Sequence, residues 1–168
     1  MRLFVAVPLP GAVRAQLATA VEPIRGGDDG ARWVSPRLWH VTVAFLGEVP
    51  DADVPAVQAH WAERARETGP LELRLVGGGA FPDARRARVL WAGVDVDLRA
   101  WTALAADDAV PHVTLARYRP AQDVRPAVAA LAAVRTSAWR CHGLALVESR
   151  PSPDAERRYV RVATLPAR

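Results

Sequence analysis

The chain has 168 residues, 51% of them hydrophobic and 24% charged, with a mean hydropathy near zero. That balance supports a buried core and excludes wholesale disorder. No apolar run approaches the roughly 20 residues of a bilayer-spanning helix, and the stretch from Arg2 to Pro10 is too short for a signal peptide, so one cytoplasmic domain over residues 1–168 is expected.

Arg2 to Pro8 alternates like a strand, and Gly11 to Ile24 places Val13, Leu17, Ala20, Val21 and Ile24 at helical spacing before a turn over residues 26–30. Arg32 to Val34 read as extended and Trp39 to Leu46 as an apolar strand. Asp51 or Asp53 is positioned to cap a helix that runs to about Glu67, where Thr68, Gly69 and Pro70 stop it. Leu71 to Val76 alternates as a half-buried strand. Gly77, Gly78 and Gly79 lack a following Gly-Lys-Ser and open no helix, so they predict a bulge or turn rather than a phosphate loop. Then come a strand at Val89 to Val96, a two-turn helix at Leu98 to Ala106, a strand at Pro111 to Tyr118, and a helix at Val124 to Val134. A strand at Trp139 to Glu148, a polar turn at 151–156 and a last strand at Tyr159 to Leu165 complete the chain. About eight strands and four helices in this order predict an α+β sandwich of helices on antiparallel sheets.

A repeat is embedded in this order. His40-Val41-Thr42-Val43-Ala44 and His112-Val113-Thr114-Leu115-Ala116 differ only by Val against Leu. Each is followed by a helix opening on Asp-Val, at Asp53-Val54 and at Asp123-Val124. With four His and seven Thr in the chain, chance supplies only about 0.17 His-x-Thr triplets, so two in matched contexts are a signal. Side chains alternate along a strand, so His40 shares a face with Thr42, and His112 with Thr114. If the two strands adjoin, two imidazoles and two hydroxyls converge on one cleft. One neutral His can then take a proton from water, one protonated His can supply a leaving oxygen, and the Thr hydroxyls can donate to phosphoryl oxygens. Ordinary imidazole pKa values near 6.5 make the two protonation states accessible together. Neither motif carries an Asp or Glu, so no metal is expected.

The paired motifs Trp39 to Gly47 and Pro111 to Arg117 resemble those of the two-histidine (2H) phosphoesterases, and among them the RNA 2',3'-cyclic phosphodiesterases, also called 2'-5' RNA ligases. Arg2 to Pro8, Arg32-Trp33-Val34, Val89 to Val94 and Val147 to Arg150 follow in the family's order. The resemblance implies a bilobal, pseudo-twofold α+β fold of two antiparallel sheets, with helices packed outside and the cleft between. It also implies hydrolysis of an RNA or nucleotide 2',3'-cyclic phosphate to a 2'-phosphomonoester with no cofactor. By position, His40 would be the acid at the departing O3', His112 the base that activates water, and Thr42 and Thr114 the phosphate holders. RNA ends or small cyclic nucleotides are the expected partners, with no membrane, no obligate protein partner and a monomeric state.

Strict alternation points Phe45 and Arg117 at the core. The alternative for Phe45 is base stacking; at Arg117, where an unpaired buried guanidinium is very costly, either the strand has ended or twisted or the side chain is paired, and its role is a surface one or, as the family carries Arg near the substrate, a phosphate or base contact. Only 20 residues separate Trp91 from His112, where relatives usually fit a longer helix and loop. The segment 97–110 must therefore form that cleft wall, with Trp101 covering exposed sheet or marking a contact surface. Reverse ligation through 2'-5' bonds uses the same residues, and a noncatalytic RNA-end or nucleotide binder remains the other class. Cys141 reads as a small buried hydrophobe, and His60 and His142 as surface or packing residues. The chain carries 22 basic against 18 acidic residues, a net charge of +4 with no Lys; this is compatible with RNA and equally with coding bias.

Overall fold

The computed structural model describes residues 1–26, 30–105 and 109–168, without the side chains of 155 and 156. Residues 27–29 of the first turn, and 106–108 of the segment 97–110, lie outside the described residues. Among the described residues, nine strands form two antiparallel sheets. The four-stranded sheet contains β1 (Arg2–Pro8), β3 (His40–Glu48), β8 (Gly143–Ser149) and β9 (Tyr159–Pro166), in the order β3-β1-β8-β9. The five-stranded sheet contains β2 (Ala31–Trp33), β4 (Leu71–Phe81), β5 (Ala87–Val96), β6 (His112–Gln122) and β7 (Trp139–Cys141), in the order β2-β6-β5-β4-β7.

Helices follow where the sequence stops alternating. α1 (Gly11–Val21) buries Val13, Leu17 and Val21, as its spacing predicts. It passes into a single 3-10 turn at Glu22–Ile24 because Pro23 has no N–H to continue the ladder. α2 (Val54–Thr68) packs on β8 and β9, and α4 (Arg125–Leu131) packs on β4. Each motif strand is therefore followed by a helix laid on a sheet. The Asp51 and Asp53 side chains do not cap α2; they sit in a 3-10 turn, and the Asp51 carboxylate instead lies 3.7 Å from the N-terminal ammonium. α3 (Leu98–Leu104) is begun by Asp97, whose carboxylate accepts from the Ala100 N–H at 2.9 Å. Its last carbonyls, those of Ala103 and Leu104, accept from the Arg64 guanidinium on α2. A short helix α5 (Ala155–Arg158) precedes β9.

The stretch Trp139 to Glu148 is not one strand. The chain crosses from one sheet to the other at His142, with β7 pairing β4 and β8 lying between β1 and β9. Gly143 permits the crossing: a Cβ there would stand 3.1 Å from the Leu165 carbonyl. The three glycines are strand rather than turn. Gly77 adopts a left-handed backbone within a bulge of β4, and β4 then continues to Phe81. One cluster of buried side chains runs through both sheets, including Val5, Val7, Val41 and Val43 from one and Leu73, Leu75, Leu90, Val113 and Leu115 from the other. Trp101 is 2% exposed, with its indole N–H donating to the Ala109 carbonyl at 2.7 Å, so it covers the core rather than presenting a contact surface.

Candidate active site

β3 packs against β6, which brings the two motif strands together from opposite sheets. Their first six residues share one burial pattern. His40, Thr42, His112 and Thr114 are half-buried, Val41, Val43, Val113 and Leu115 are buried, and two successive buried residues then break the alternation at Val43-Ala44 and Leu115-Ala116. The break is a β-bulge in each copy. Opposite β3, Val5 pairs Ala44 and Ala6 pairs Thr42, skipping Val43. Opposite β6, Leu90 pairs Ala116 and Trp91 pairs Thr114, skipping Leu115. The extra residue reverses the parity of the residue that follows it, so Phe45 and Arg117 rejoin the face of the histidines and threonines.

Core packing is therefore wrong for Phe45, and at Arg117 the strand is bulged rather than carrying the guanidinium into the core. Phe45 is 78% exposed, and Arg117 is exposed with no ion pair among the described residues. Arg117 is close enough for its charge to act on both imidazoles. Directly opposite it on β2 is Arg32, also exposed, so this end of the cleft is cationic.

Each imidazole is oriented by a backbone carbonyl two residues earlier. The Nδ1–H of His40 donates to Leu38 at 2.7 Å, and that of His112 donates to Val110 at 2.6 Å. In the neutral ring this tautomer leaves Nε2 as the acceptor facing the cleft. The Nε2 of His40 lies 3.0 Å from the Thr42 hydroxyl, which donates to it when the ring is neutral. The Nε2 of His112 has no partner among the described residues. Burial holds the pKa of His40 below its ordinary value; the Leu38 carbonyl opposes the shift, and the charges of His112 and Arg117 reinforce it. Burial likewise lowers His112, with the Val110 carbonyl opposing and Arg117 reinforcing. Both shifts favour the neutral ring before any anion arrives.

Four aromatic residues that the paired motifs do not assign to the site flank these rings. His40 lies 4.8 Å from the Phe4 ring and 5.5 Å from Tyr159, the latter edge-on. His112 meets the Phe81 ring edge-on at 5.0 Å and Trp91 at 6.0 Å. Trp91 is laid in place by Gly79, whose missing side chain is filled by the indole: a Cβ would come within 2.4 Å of it. This is the role of Gly79 in the site, and a glycine paired with a Trp on the neighbouring strand is the signal that could have found it. Among the described residues, no three His, Cys, Asp or Glu gather at metal-binding spacing. His60 is exposed on α2 beside Trp61, and His142 is exposed at the sheet crossing. Cys141 is buried, its thiol donating to the Gly143 carbonyl at 2.9 Å and raised in pKa by burial.

The model of the LigT-like phosphoesterases matches residues 7–91. A protein of Thermus thermophilus named RNA 2',3'-cyclic phosphodiesterase is 36% identical, over 91% of this chain and 84% of its own. One of the same name from Methanothermobacter thermautotrophicus is 26% identical, over 71% of this chain and 72% of its own. Among solved structures, a Thermus thermophilus protein superposes with a TM-score of 0.74 at 30% identity, covering 99% of this chain and 97% of that one. Escherichia coli LigT complexed with 3'-AMP superposes at 0.73 with the same coverage and 23% identity, a likeness of fold. No helix of the described residues is long and apolar enough to cross a membrane.

Proposed function

The chain belongs to the LigT-like phosphoesterases, and from that premise we propose that residues 1–168 act as one unit, an RNA 2',3'-cyclic phosphodiesterase that uses His40 and His112 as acid and base without a metal. The observation that carries this reading is the doubled bulge. It gives β3 and β6 the same sequence of side chains on the face they turn to each other, ending in Arg117 on one side and Phe45 on the other.

In this mechanism the cyclic phosphate lies between the two histidines. The Nε2 of His112 takes a proton from water as the water oxygen bonds to phosphorus. The P–O3' bond breaks on the opposite side, and the Nε2–H of His40 delivers its proton to O3', leaving the phosphate on O2'. Two protonation states are required, whereas burial favours the neutral form of both rings in the free protein. The negative charge of the bound phosphate favours the imidazolium and supplies the missing proton affinity at His40. Thr42 donates its hydroxyl to the neutral His40 and can accept from the protonated ring. Thr42 and Thr114 donate to the phosphoryl oxygens, and Arg117 offsets the charge that develops on them. Phe45, an exposed ring at the cleft edge, offers a face to the terminal base.

The test is hydrolysis of a 2',3'-cyclic mononucleotide and of an RNA ending in 2',3'-cyclic phosphate, in excess EDTA, with the 2'- and 3'-phosphate products resolved. The wild type is expected to give the 2'-phosphate with chelator present. His40→Ala and His112→Ala, folded by circular dichroism, are each expected to lose about 10²–10⁴-fold in kcat. Loss of wild-type activity in EDTA, a 3'-phosphate product, or near-normal turnover by both variants would overturn the reading.

A further inference from the structure

His40 is held from four directions by residues of four different elements. Its Nδ1–H donates to the Leu38 carbonyl at the end of the 3-10 turn Pro36–Leu38, and its Nε2 lies 3.0 Å from the Thr42 hydroxyl on β3. Phe4 of β1 lies across the imidazole, with ring centroids 4.8 Å apart and 32° between the planes. Tyr159 of β9 meets it nearly at right angles, at 5.5 Å and 77°. Tyr159 also meets Phe4, at 5.0 Å and 69°, so the three rings form one closed set. The hydrogen bonds fix which way the two nitrogens point, and the packing fixes where the ring sits.

The two aromatic walls differ in what else they do. Phe4 is buried and belongs with Ala6, Ala145 and Val147 to a small apolar cluster, so it carries part of the packing of its sheet. Tyr159 only abuts that cluster and is half-buried. It opens β9, an edge strand, and its hydroxyl has no partner among the described residues. Its ring contacts are Phe4 and His40. The preceding helix α5 packs against the Pro36–Leu38 turn, so adjacent parts of the chain bear on the imidazole and on the turn that orients it. His112 is less confined: its nearest rings stand at 5.0 and 6.0 Å, both from the same sheet, and its Nε2 is unpartnered among the described residues.

We propose that Tyr159 is a positioning residue for His40: its ring closes the side of the imidazole that Phe4 leaves open, holding it in line to exchange its proton and shielding it from water. This rests on the reading of the catalytic cleft given above, and it adds a residue that the His-Thr motifs do not name. Burial is the leading reason that His40 resists protonation, and a ring against its edge is part of that burial. Opening this side lets water reach the imidazole, so its proton affinity returns toward the ordinary value. The charged groups that face His40 are His112 and Arg117 from β6 and, along the groove it shares with Tyr159, Arg14 from α1, Arg37 from the turn and Arg161 from β9. Among the described residues, β1 and β8 place no charged side chain in that groove. Substituting Tyr159 changes none of these charges.

Two readouts test this on wild type, Tyr159→Ala, Tyr159→Phe and Val162→Ala. The first is the proton NMR titration of the imidazoles in the free protein, with the signals assigned from His40→Gln and His112→Gln. Tyr159→Ala is expected to move the His40 midpoint to higher pH and to leave that of His112 nearly in place; Tyr159→Phe, which keeps the ring, should match the wild type. The second is turnover of adenosine 2',3'-cyclic phosphate. Tyr159→Ala should lose about tenfold or more in kcat with KM near the wild-type value, because a small displacement of a proton donor is enough for a loss of that order. Tyr159→Phe should recover most of it. Val162, on the same strand, packs against the main core instead, so Val162→Ala loosens β9 without opening His40 and should leave the His40 midpoint unchanged. Should Tyr159→Ala fail to fold, Tyr159→Leu keeps apolar bulk, and its midpoint and kcat are expected between those of the wild type and a fully opened site.

A His40 midpoint that stays in place when the ring is removed would overturn the proposal while leaving the phosphodiesterase reading intact. So would an equal shift in Tyr159→Phe or in Val162→Ala, equal shifts of both histidines, or a loss confined to KM. Failure of the wild type to hydrolyse the cyclic nucleotide would overturn the phosphodiesterase reading itself, and the titration would still show whether Tyr159 shields His40.

Discussion

The two motif strands hold their imidazoles in the same way and surround them differently. In both, a carbonyl two residues upstream fixes Nδ1, the same alternation buries the intervening residues, and a bulge at the same offset turns the sixth residue into the cleft. The surroundings then diverge. β3 is the edge strand of its sheet, its His40 bonded to Thr42 and wedged between Phe4 and Tyr159. β6 lies inside its sheet, its His112 presenting a bare Nε2 beside Phe81 and Trp91. After the bulge, one strand supplies an aromatic ring and the other a cation. In the mechanism proposed above, what is repeated fixes where a proton is exchanged, and what is not repeated sets its direction and the part of the substrate that meets each side.

The sixth residue is the sharpest place to break this comparison. Arg117→Gln is expected to lower kcat/KM on a cyclic mononucleotide by roughly ten- to a hundredfold, the worth of one charge-assisted contact. The Arg117 cation also depresses both histidines. Its removal should therefore raise both and move the acid limb of the kcat/KM profile to higher pH. Phe45→Leu should cost a few-fold at most and move neither limb. Equal losses and equal pH profiles for the two variants would mean that the strands are functionally symmetric.

The threonines give a smaller difference. Thr42→Val removes a phosphate donor and the partner of His40 Nε2 together, whereas Thr114→Val removes a donor alone, so the first variant should be the slower by several-fold. Serine at either position should restore most of the rate. A slower Thr114→Val would show that the hydrogen bond at His40 is not used in turnover.

The paired His-x-Thr triplets were legible without a structure because the period of a strand is two and a repeat of five residues is hard to obtain by chance. The antiparallel α+β architecture was legible too, since each apolar run ended in recognisable turn residues. The placement of Phe45 and Arg117 was not. A bulge adds one residue without altering composition, and Val43-Ala44 and Leu115-Ala116 are equally acceptable in a regular strand. The break at His142 was hidden because Trp139 to Glu148 reads as one mostly apolar run, although its two halves pair in different sheets. The aromatic flanks depend on residues as far apart as Phe4 and Tyr159. Only tertiary pairing joins them.

The smallest effect expected is on stability, and it separates the two halves by pH. Folding places both imidazoles where burial disfavours their charged forms, so each folded pKa lies below the ordinary value of 6.5. Below that value the unfolded chain binds protons that the folded chain resists. Stability is then complete above pH 6.5 and declines as the pH falls through the ordinary value toward the folded one. Thermal unfolding between about pH 7.5 and 5 should show Tm falling in the wild type. His40→Gln and His112→Gln should each flatten part of that slope, and the double variant most of it. Burial is the largest cause of both shifts, and His40 is the more deeply buried ring, so His40→Gln should flatten the slope more. A wild-type Tm that does not change over this range, or a slope retained in the double variant, would show that the imidazoles are not held neutral by the fold.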